Sequence, residues 1–317
     1  MSLNNYKILG GAMTWVSNPS LTSAIANEGA LGVLATGSMR ACDLDAALKE
    51  TKEKTKEDFA VNLIAMNPEF DGLVKVCADH KIKYIVLGAA LPRKERIESL
   101  KSFGAKVIGF ASSLKIAQAM IRNGIDALIL EGSEAGGHVG PISTQVLVQE
   151  ILFNIKDFPI FIAGGIGCGR MIKHYLDMGA TGCQLGSRFV CSKESPMHPR
   201  AKAIYISKNA KDTCVVGSID PMFSVIPVRV IKNKAVEEFY LKQNEALLNF
   251  KLGKLSKEEA ILSLEKFWAG SLRRGVIEGD VENGSLMAGQ SISFVKKEES
   301  IKEIINQLKT EGQLCFQ

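Results

Sequence analysis

Residues 127–140 read ALILEGSEAGGHVG, and the chain changes character at Glu131. The four residues before it are apolar and unbroken. The nine after it hold four glycines, a second carboxylate and one of only four histidines. Glycine in the interior of a helix or strand costs roughly 0.5–1 kcal/mol relative to alanine. So the run reads as a short buried strand that ends in an open loop, the form of a parallel strand whose C-terminal end faces a site.

Seven other runs of the same kind are spaced along the chain. KILGG starts at Lys7, LGVLA at Leu31, FAVNLI at Phe59, KYIVLG at Lys83, KVIGF at Lys106, IFIAGG at Ile160 and TGCQLGS at Thr181. With ALILEG at Ala127, the intervals are 24, 28, 24, 23, 21, 33 and 21 residues. Helical patterns lie between them. NPSLTSAIANEG offers Asn18 as N-cap, Pro19 at the first helical position and Gly29 as the stop. SSLKIAQAMIRNG repeats the plan, with a serine cap and Gly124 at its end. Eight strands alternating with helices at this period predict an α/β fold, a (β/α)8 TIM barrel. An open doubly wound sheet is the runner-up. It would want a G-x-G-x-x-G turn after its first strand, where GGAMTW stands instead.

The rhythm stops near residue 200. CVVGS and IPVRVIKN read as extended pieces, and VEEFYLKQNEALLNF, SKEEAILSLEKFWAGSLRRG and SIKEIINQLK as helices. The expected division is a barrel over residues 1–204 and a smaller, mainly helical C-terminal subdomain over 205–317. The last helix is a candidate to return to the barrel.

Composition bounds the function. The chain has 317 residues, 46% apolar and 23% charged, which is ordinary for a globular protein. MSLNNYKILGG lacks the pattern of a secretory signal, and no run reaches the ~18 consecutive apolar residues of a membrane span. Seven scattered cysteines without a CxxC pair predict reduced thiols, a cytoplasmic location and no metal site. Net charge is +5. Residues 200–274 hold fourteen Lys/Arg against eight Asp/Glu, so the excess is concentrated there. That basic third suggests an acidic partner, with Arg200, Lys202, Lys208, Arg229, Lys232 and Lys234 as candidates. Its basic residues are not interleaved with aromatics, which argues against nucleic acid.

Barrel enzymes carry their active residues at the C-terminal ends of the strands. The rule selects Gly11, Ala12 and Met13 after the first strand, Asn62 near the end of the third, and Glu131 and His138 after the sixth. It selects Gly164 and Gly165 after the seventh, and Gln184, Leu185, Gly186 and Ser187 at the eighth. Glycine turns on two adjacent strands let backbone N–H groups approach a phosphate, which suits a phosphate-bearing cofactor lying across the mouth. No lysine completes a nucleotide-triphosphate loop. His138 lies in the longest interval of the barrel, and long loops in compact domains tend to be functional. His80, His174 and His198 sit in or beside helix patterns and read as structural. Glu134 reads either as an acid or as a solvated loop charge. Asn62 is the one polar side chain of FAVNLI and needs a hydrogen-bond partner if buried.

As a set, GGAMTWVS, FAVNLI, EGSEAGGHVG, IAGGIGCG, QLGSRFVCSKES and GSLRRGVIEGDVENGSLMAGQS resemble the flavin-dependent barrel family. That family contains enoyl-acyl-carrier-protein reductase II and the nitronate monooxygenases, formerly 2-nitropropane dioxygenases. The resemblance implies FMN across the barrel mouth, with Gly11 to Met13 along the ring and Asn62 on its polar edge. It implies Glu131 and Gly136 near the ribityl chain and ring, and Gly164, Gly165 and Gln184 to Ser187 around the phosphate. His138 matches the family's catalytic histidine. The first motif departs from the family's usual Q-G-G-M, reading Gly10-Gly11-Ala12-Met13 here. The implied activity is an FMN-dependent enoyl-acyl-carrier-protein reductase of fatty-acid synthesis, with NADH or NADPH as reductant and acyl carrier protein as partner. A homodimer is compatible with that reading. The alternative is a nitronate monooxygenase that oxidises alkyl nitronates with dioxygen. The GDVENGSLMAGQ tail and the basic third favour the reductase, because acyl carrier protein is acidic.

Overall fold

All eight apolar runs form strands of one parallel sheet, and that sheet is a TIM barrel. The computed structural model describes residues 2–65, 67–88, 92–221 and 225–315. The strands are β1 (Ile8–Gly10), β2 (Val33–Ala35), β3 (Ala60–Ile64), β4 (Tyr84–Gly88), β5 (Lys106–Ala111) and β6 (Ala127–Glu131), then β8 (Ile160–Ala163) and β9 (Gly182–Leu185). A two-residue strand, β7 (Gly137–His138), interrupts the count. The sheet runs β1-β9-β8-β6-β5-β4-β3-β2. The two ends meet where Leu31 N–H donates to the Ile8 carbonyl at 3.0 Å and Gly10 N–H to the Leu31 carbonyl at 2.9 Å. Closure removes the free edges that an open sheet would present.

Helices α1 (Pro19–Asn27), α2 (Ala41–Lys54), α3 (Phe70–Asp79), α4 (Lys94–Lys101), α5 (Leu114–Arg122), α6 (Thr144–Leu147), α7 (Gly169–Asp177) and α8 (Pro199–Ser207) follow the barrel strands in turn. The caps stand where the sequence places them. Asn18 accepts the Leu21 N–H with Pro19 at the first helical position, and Ser113 accepts the Ile116 N–H. A short π-helical turn at Val148–Leu152 extends α6.

Strand alternation divides the apolar residues into two cores. Leu9, Val33, Ala60, Tyr84, Val86, Ile108, Ile129 and Phe161 fill the barrel interior, and Leu3 and Tyr6 close its lower end. Tyr6 meets Tyr84 edge-on, with ring centroids 5.7 Å apart. The intervening residues, among them Leu34, Val61, Leu128, Leu130 and Ile162, pack outward against the helices. Each such side chain taken fully out of water contributes roughly 1.5–3 kcal/mol.

The C-terminal region has a third, separate core. Strands β10 (Thr213–Val216) and β11 (Val228–Ile231) pair antiparallel, and helices α9 (Lys234–Lys251) and α10 (Lys257–Val276) lie over them. Val216, Val228, Val230, Phe239, Leu264 and Trp268 form this core, with Phe239 and Trp268 centroids 4.3 Å apart. The region is therefore not only helical. Its two extended pieces take β7 from the barrel loop as third strand, in the order β10-β11-β7. The chain then turns back. Leu286, Ala288, Ile292 and Val295 belong to the outer barrel core, as do Ile301, Ile304, Ile305 and Leu308 of α11 (Ile301–Gly312). Helix α11 packs on α7 and α1. Among the described residues no helix is long and apolar enough to cross a membrane.

Candidate active site

The uppermost inward positions of the barrel strands form the floor of the site. Two residues beyond the interior layer come Ala35, Asn62, Gly88, Phe110, Glu131 and Ala163, with Gly11 after β1 and Gln184 on β9. Four are glycine or alanine and three carry polar side chains. Glu131, Ala163 and Gln184 stand in register on adjacent strands, so the carboxyl and the amide flank a methyl group. Their backbones are roughly 10 Å apart at the usual strand spacing.

The polar groups of this floor are only partly satisfied. Asn62 is 5% exposed, and its Nδ2 donates to the Val86 carbonyl at 3.0 Å. Its Oδ1 has no partner among the described residues. Gln184 is 7% exposed, and its Oε1 is buried without a hydrogen bond. Glu131 is half-buried, with no hydrogen bond or ion pair from its carboxyl among the described residues. Burial pushes that carboxyl up to about 8. A buried polar atom left unpaired costs about 1–3 kcal/mol. One buried orphan, Gln184 Oε1, with the unbonded Asn62 Oδ1 and Glu131 carboxyl on the same floor, suits a flat ligand with a polar edge.

The glycine turns border this floor. Gly164 and Gly165 have φ of 99° and 72°, a region that favours glycine. A Cβ on Gly164 would lie 2.7 Å from Thr144 Oγ1, and one on Gly165 would lie 3.2 Å from Glu134 Cβ. A cleft of about 800 Å³ opens beside this turn, with Glu134, Thr144, Gly164, Gly165, Gln290 and Phe294 among its lining residues. Across the next strand, Gly11 N–H donates to the Leu185 carbonyl at 2.8 Å, and a Cβ on Gly11 would come within 3.2 Å of Gly186 Cα. Met13 follows in the same bend, with its N–H on Ser17 Oγ at 3.0 Å. Ala12 packs partly against the interior core. The Leu185 side chain points outward into the helix-facing core, so only its backbone faces the mouth. Ser187 Oγ accepts the Gly289 N–H at 2.9 Å.

The glycine-rich loop is strapped over this mouth. His138 is exposed and pairs with Val228, and Gly137 with Arg229, in an antiparallel ladder. The loop expected from sequence is thus partly a strand, anchored to the C-terminal region. Three further contacts hold it. Gln290 N–H donates to the Glu134 carbonyl at 2.9 Å. Gly136 lies so close to Gly289 that a Cβ would be 2.5 Å from its nitrogen. Arg229 Nε donates to the Ser133 carbonyl. The Glu134 carboxylate accepts the Thr144 N–H and hydroxyl, both at 2.9 Å. It is neither a free acid nor a solvated charge, because it caps the start of α6.

Two basic residues proposed from sequence as docking groups are unavailable for docking. Lys202 is 8% exposed, with its Nζ on the Ser192 carbonyl and Glu298, each at 2.7 Å. Arg229 is 8% exposed and bonds Ser133 and Thr213. Arg200, Lys232 and Lys234 are exposed, and Lys208 is half-buried. The sequence reading also missed the strap itself, Met287 to Gln290. A lone arginine in the apolar run IPVRVI was the available signal for a buried anchor. Among the remaining histidines, His80 Nε2 lies 2.7 Å from Asp45, His198 caps α8, and His174, in α7, lines the cleft beside the glycine turn. The described residues contain no group of three or more side chains arranged to hold a metal ion.

The residues present fit a flavin. The floor is small and flat at four positions, it offers unpaired polar atoms beneath a ring, and two glycine turns adjoin it. Comparisons with known proteins agree. The family model described as nitronate monooxygenase matches residues 1–72 and 64–311. The structure of FabK from Thermotoga maritima superposes with a TM-score of 0.85 at 35% identity, covering 98% of this chain and 93% of that one. A probable nitronate monooxygenase of Bacillus subtilis is 28% identical over 92% of each chain. The (3aS,4S,5R,7aS)-5-hydroxy-7a-methyl-1-oxo-octahydro-1H-indene-4-carboxyl-CoA dehydrogenase of Rhodococcus jostii is 28% identical over 95% of this chain and 91% of its own.

Proposed function

The chain belongs to the nitronate monooxygenase family of flavin-dependent oxidoreductases, and from that membership we propose that it is an FMN-dependent enoyl-acyl-carrier-protein reductase using NADH or NADPH. The observation that carries the choice is the likeness to FabK, an enoyl-acyl-carrier-protein reductase II, at 35% identity over 98% of the chain. The name of the Rhodococcus relative adds a second thioester-bearing substrate class. The rival reading, nitronate oxidation with dioxygen, is favoured by the name of the Bacillus relative.

When bound, FMN supplies the redox step, taking a hydride from NAD(P)H and giving one to the β-carbon of a 2-enoyl thioester. The geometry supports the following roles for the chain on this reading. Gly11, Ala12 and Met13 form one wall for the ring, and Asn62 and Glu131 present polar atoms to it. Gln184, expected at the phosphate, joins them because its buried Oε1 lies level with Ala163 on the floor. Gly164, Gly165, Gly186 and Ser187 offer backbone and hydroxyl groups to the phosphate, with the Leu185 carbonyl fixing Gly11 beside them. Gly136 lets the strap close over the mouth. His138 hydrogen-bonds the thioester oxygen or delivers the α-proton. The hydride at the β-carbon and this proton together consume the double bond. An imidazole can serve either purpose.

In this division of labour residues 1–204 hold FMN, the region of β10, β11, α9 and α10 covers the substrate, and α11 returns to the outer face of the barrel. The chain carries only free cysteines, which suits the reducing cytoplasm. The deciding experiment is anaerobic stopped-flow bleaching of the bound flavin, with NAD(P)H tested against a nitronate as reductant. Bleaching by NAD(P)H and reoxidation by an enoyl thioester support the reductase. Bleaching by the nitronate alone overturns it.

A further inference from the structure

Glu131 is the one acid among the inward-facing residues of the barrel mouth, and it has no counter-charge. Its strand parity directs it inward, in line with Ala127 and Ile129 of the interior core. No donor, cation or hydroxyl satisfies its oxygens among the described residues. The elements around it bring no compensating charge. On β5 the only charged residue is Lys106, at the opposite end of the strand and paired with Asp126. Strands β8 and β9 and helix α6 have no charged residue. On its own loop Glu134 is engaged by Thr144, and His138 is on the ladder with β11. A carboxyl partly withdrawn from water, with no partner for its charge, is shifted toward its neutral form.

We propose that Glu131 is held as the neutral acid and donates a hydrogen bond to an acceptor atom of bound FMN, so that cofactor binding is linked to one proton. The inference rests on the flavin reading above. It assigns the neighbouring orphan, Gln184 Oε1, the opposite task of accepting from a flavin N–H. Donor and acceptor then flank Ala163 on a common level. A ring edge that alternates acceptor and donor groups satisfies both, whereas an apolar ring satisfies neither.

The sign of the linkage is fixed. Burial raises this carboxyl to about 8, so the cofactor-free protein carries the donor proton at neutral pH and loses it as pH rises through that value. Between the second ionisation of the FMN phosphate, at about 6, and this value the affinity is flat. Above it each pH unit weakens binding about tenfold, because one proton must be taken up with the cofactor.

The test is FMN titration of the cofactor-free protein, read by flavin fluorescence across this pH range. The variants are Glu131→Gln, Glu131→Ala and His138→Ala. The wild type and His138→Ala should show the alkaline break. Glu131→Gln keeps a donor but cannot ionise, so it should bind within a few-fold of wild type at neutral pH and lose the break. Glu131→Ala should bind about tenfold or more weakly, also without the break. A break that survives in Glu131→Gln, or a flat wild-type profile, overturns the proposal and leaves the flavin reading standing. Failure of the wild type to bind FMN at any pH overturns both. If Glu131→Gln does not fold, carboxyl NMR of the wild-type protein decides. Titration of Glu131 in the ordinary carboxylate range overturns the inference, and titration above neutrality supports it.

Discussion

Arg229 Nε donates to the Ser133 carbonyl at 2.9 Å, joining residues 96 positions apart in the chain. The same guanidinium reaches Thr213 Oγ1 at 3.1 Å, so one buried cation ties β10 and β11 to the loop that carries His138. Arg229→Met keeps bulk but removes both donors. Buried hydrogen bonds to a charged group are worth about 1.5–3 kcal/mol each. The variant should lose about 2–4 kcal/mol of unfolding free energy in urea, with part of the Arg229→Met loss recovered in Arg229→Lys. Turnover should fall more than flavin retention, because the loop loosens while the floor stays. Unchanged stability and turnover would remove Arg229 from this role.

Gly165→Asp should abolish flavin retention. The substitution adds a Cβ at a φ of 72°, against Glu134, and sets a carboxylate beside the proposed phosphate position. Flavin absorbance that co-elutes with the variant on gel filtration, at wild-type ratio, would locate the phosphate elsewhere.

His138→Ala should keep fold and cofactor, since the side chain is exposed and the ladder with Val228 is made by backbone. Enoyl reduction should drop by ~10²–10⁴-fold if the imidazole handles the proton in the transition state. Flavin bleaching by NAD(P)H should change little. A loss of kcat/KM under threefold would make His138 a strap residue only.

The strand ends show what was legible in the sequence and why the rest was not. Asn62, Glu131, Gly164 and Gln184 could be selected because parity and glycine placement are local properties of short runs. The same locality hid the strap. Nothing near His138 announces that Val228 will lie beside it, and nothing near Glu134 announces Thr144 or Gln290. Lys202 and Arg229 looked like surface charges because burial of a long cation depends on partners supplied from distant segments, Glu298 and Ser133. Charge counted along a chain reports composition. It does not report which heads remain in water.

If the basic region steers an acidic partner, the exposed candidates are Arg200 and Lys232, with Lys234 paired to Glu282 and Lys208 half-buried. Exposed charges at a rim mainly steer encounter, so their effect belongs to the association rate and is screened by salt. The ratio of kcat/KM on enoyl-acyl carrier protein to that on a small uncharged enoyl thioester should fall as salt approaches molar, where the Debye length is ~3 Å. Charge reversal at Lys232 should lower the same ratio at low salt. A flat ratio would leave this region an ordinary solvated surface and favour the nitronate reading.

Helix α11 supplies an acid-stability test. The Ser300 N–H and hydroxyl, with Lys193 nearby, hold the Glu303 carboxyl down at about 2. Its folded pKa is below the unfolded one, so its stabilisation is present above the ordinary carboxylate range near 4.5 and is lost as pH falls toward 2. Glu303→Gln should melt earlier than wild type at neutral pH, and the two melting curves should converge in acid. A constant gap down to pH 2 would place the effect elsewhere.

That helix also sets a schedule for folding. Gly169 N–H, at the start of α7, is held by Glu311 across 142 residues, and Lys309 reaches the Glu28 carbonyl after α1 across 281. Each barrel strand has left the ribosome well before the helix that covers this seam. During that interval the apolar surface later covered by Ile304, Ile305 and Leu308 faces solvent, and the first N–H of α7, on Gly169, has no carboxylate to accept it. A growing chain therefore carries this apolar surface uncovered until α11 is available to pack on α1 and α7. A translation pause that delays α11 prolongs the same exposure.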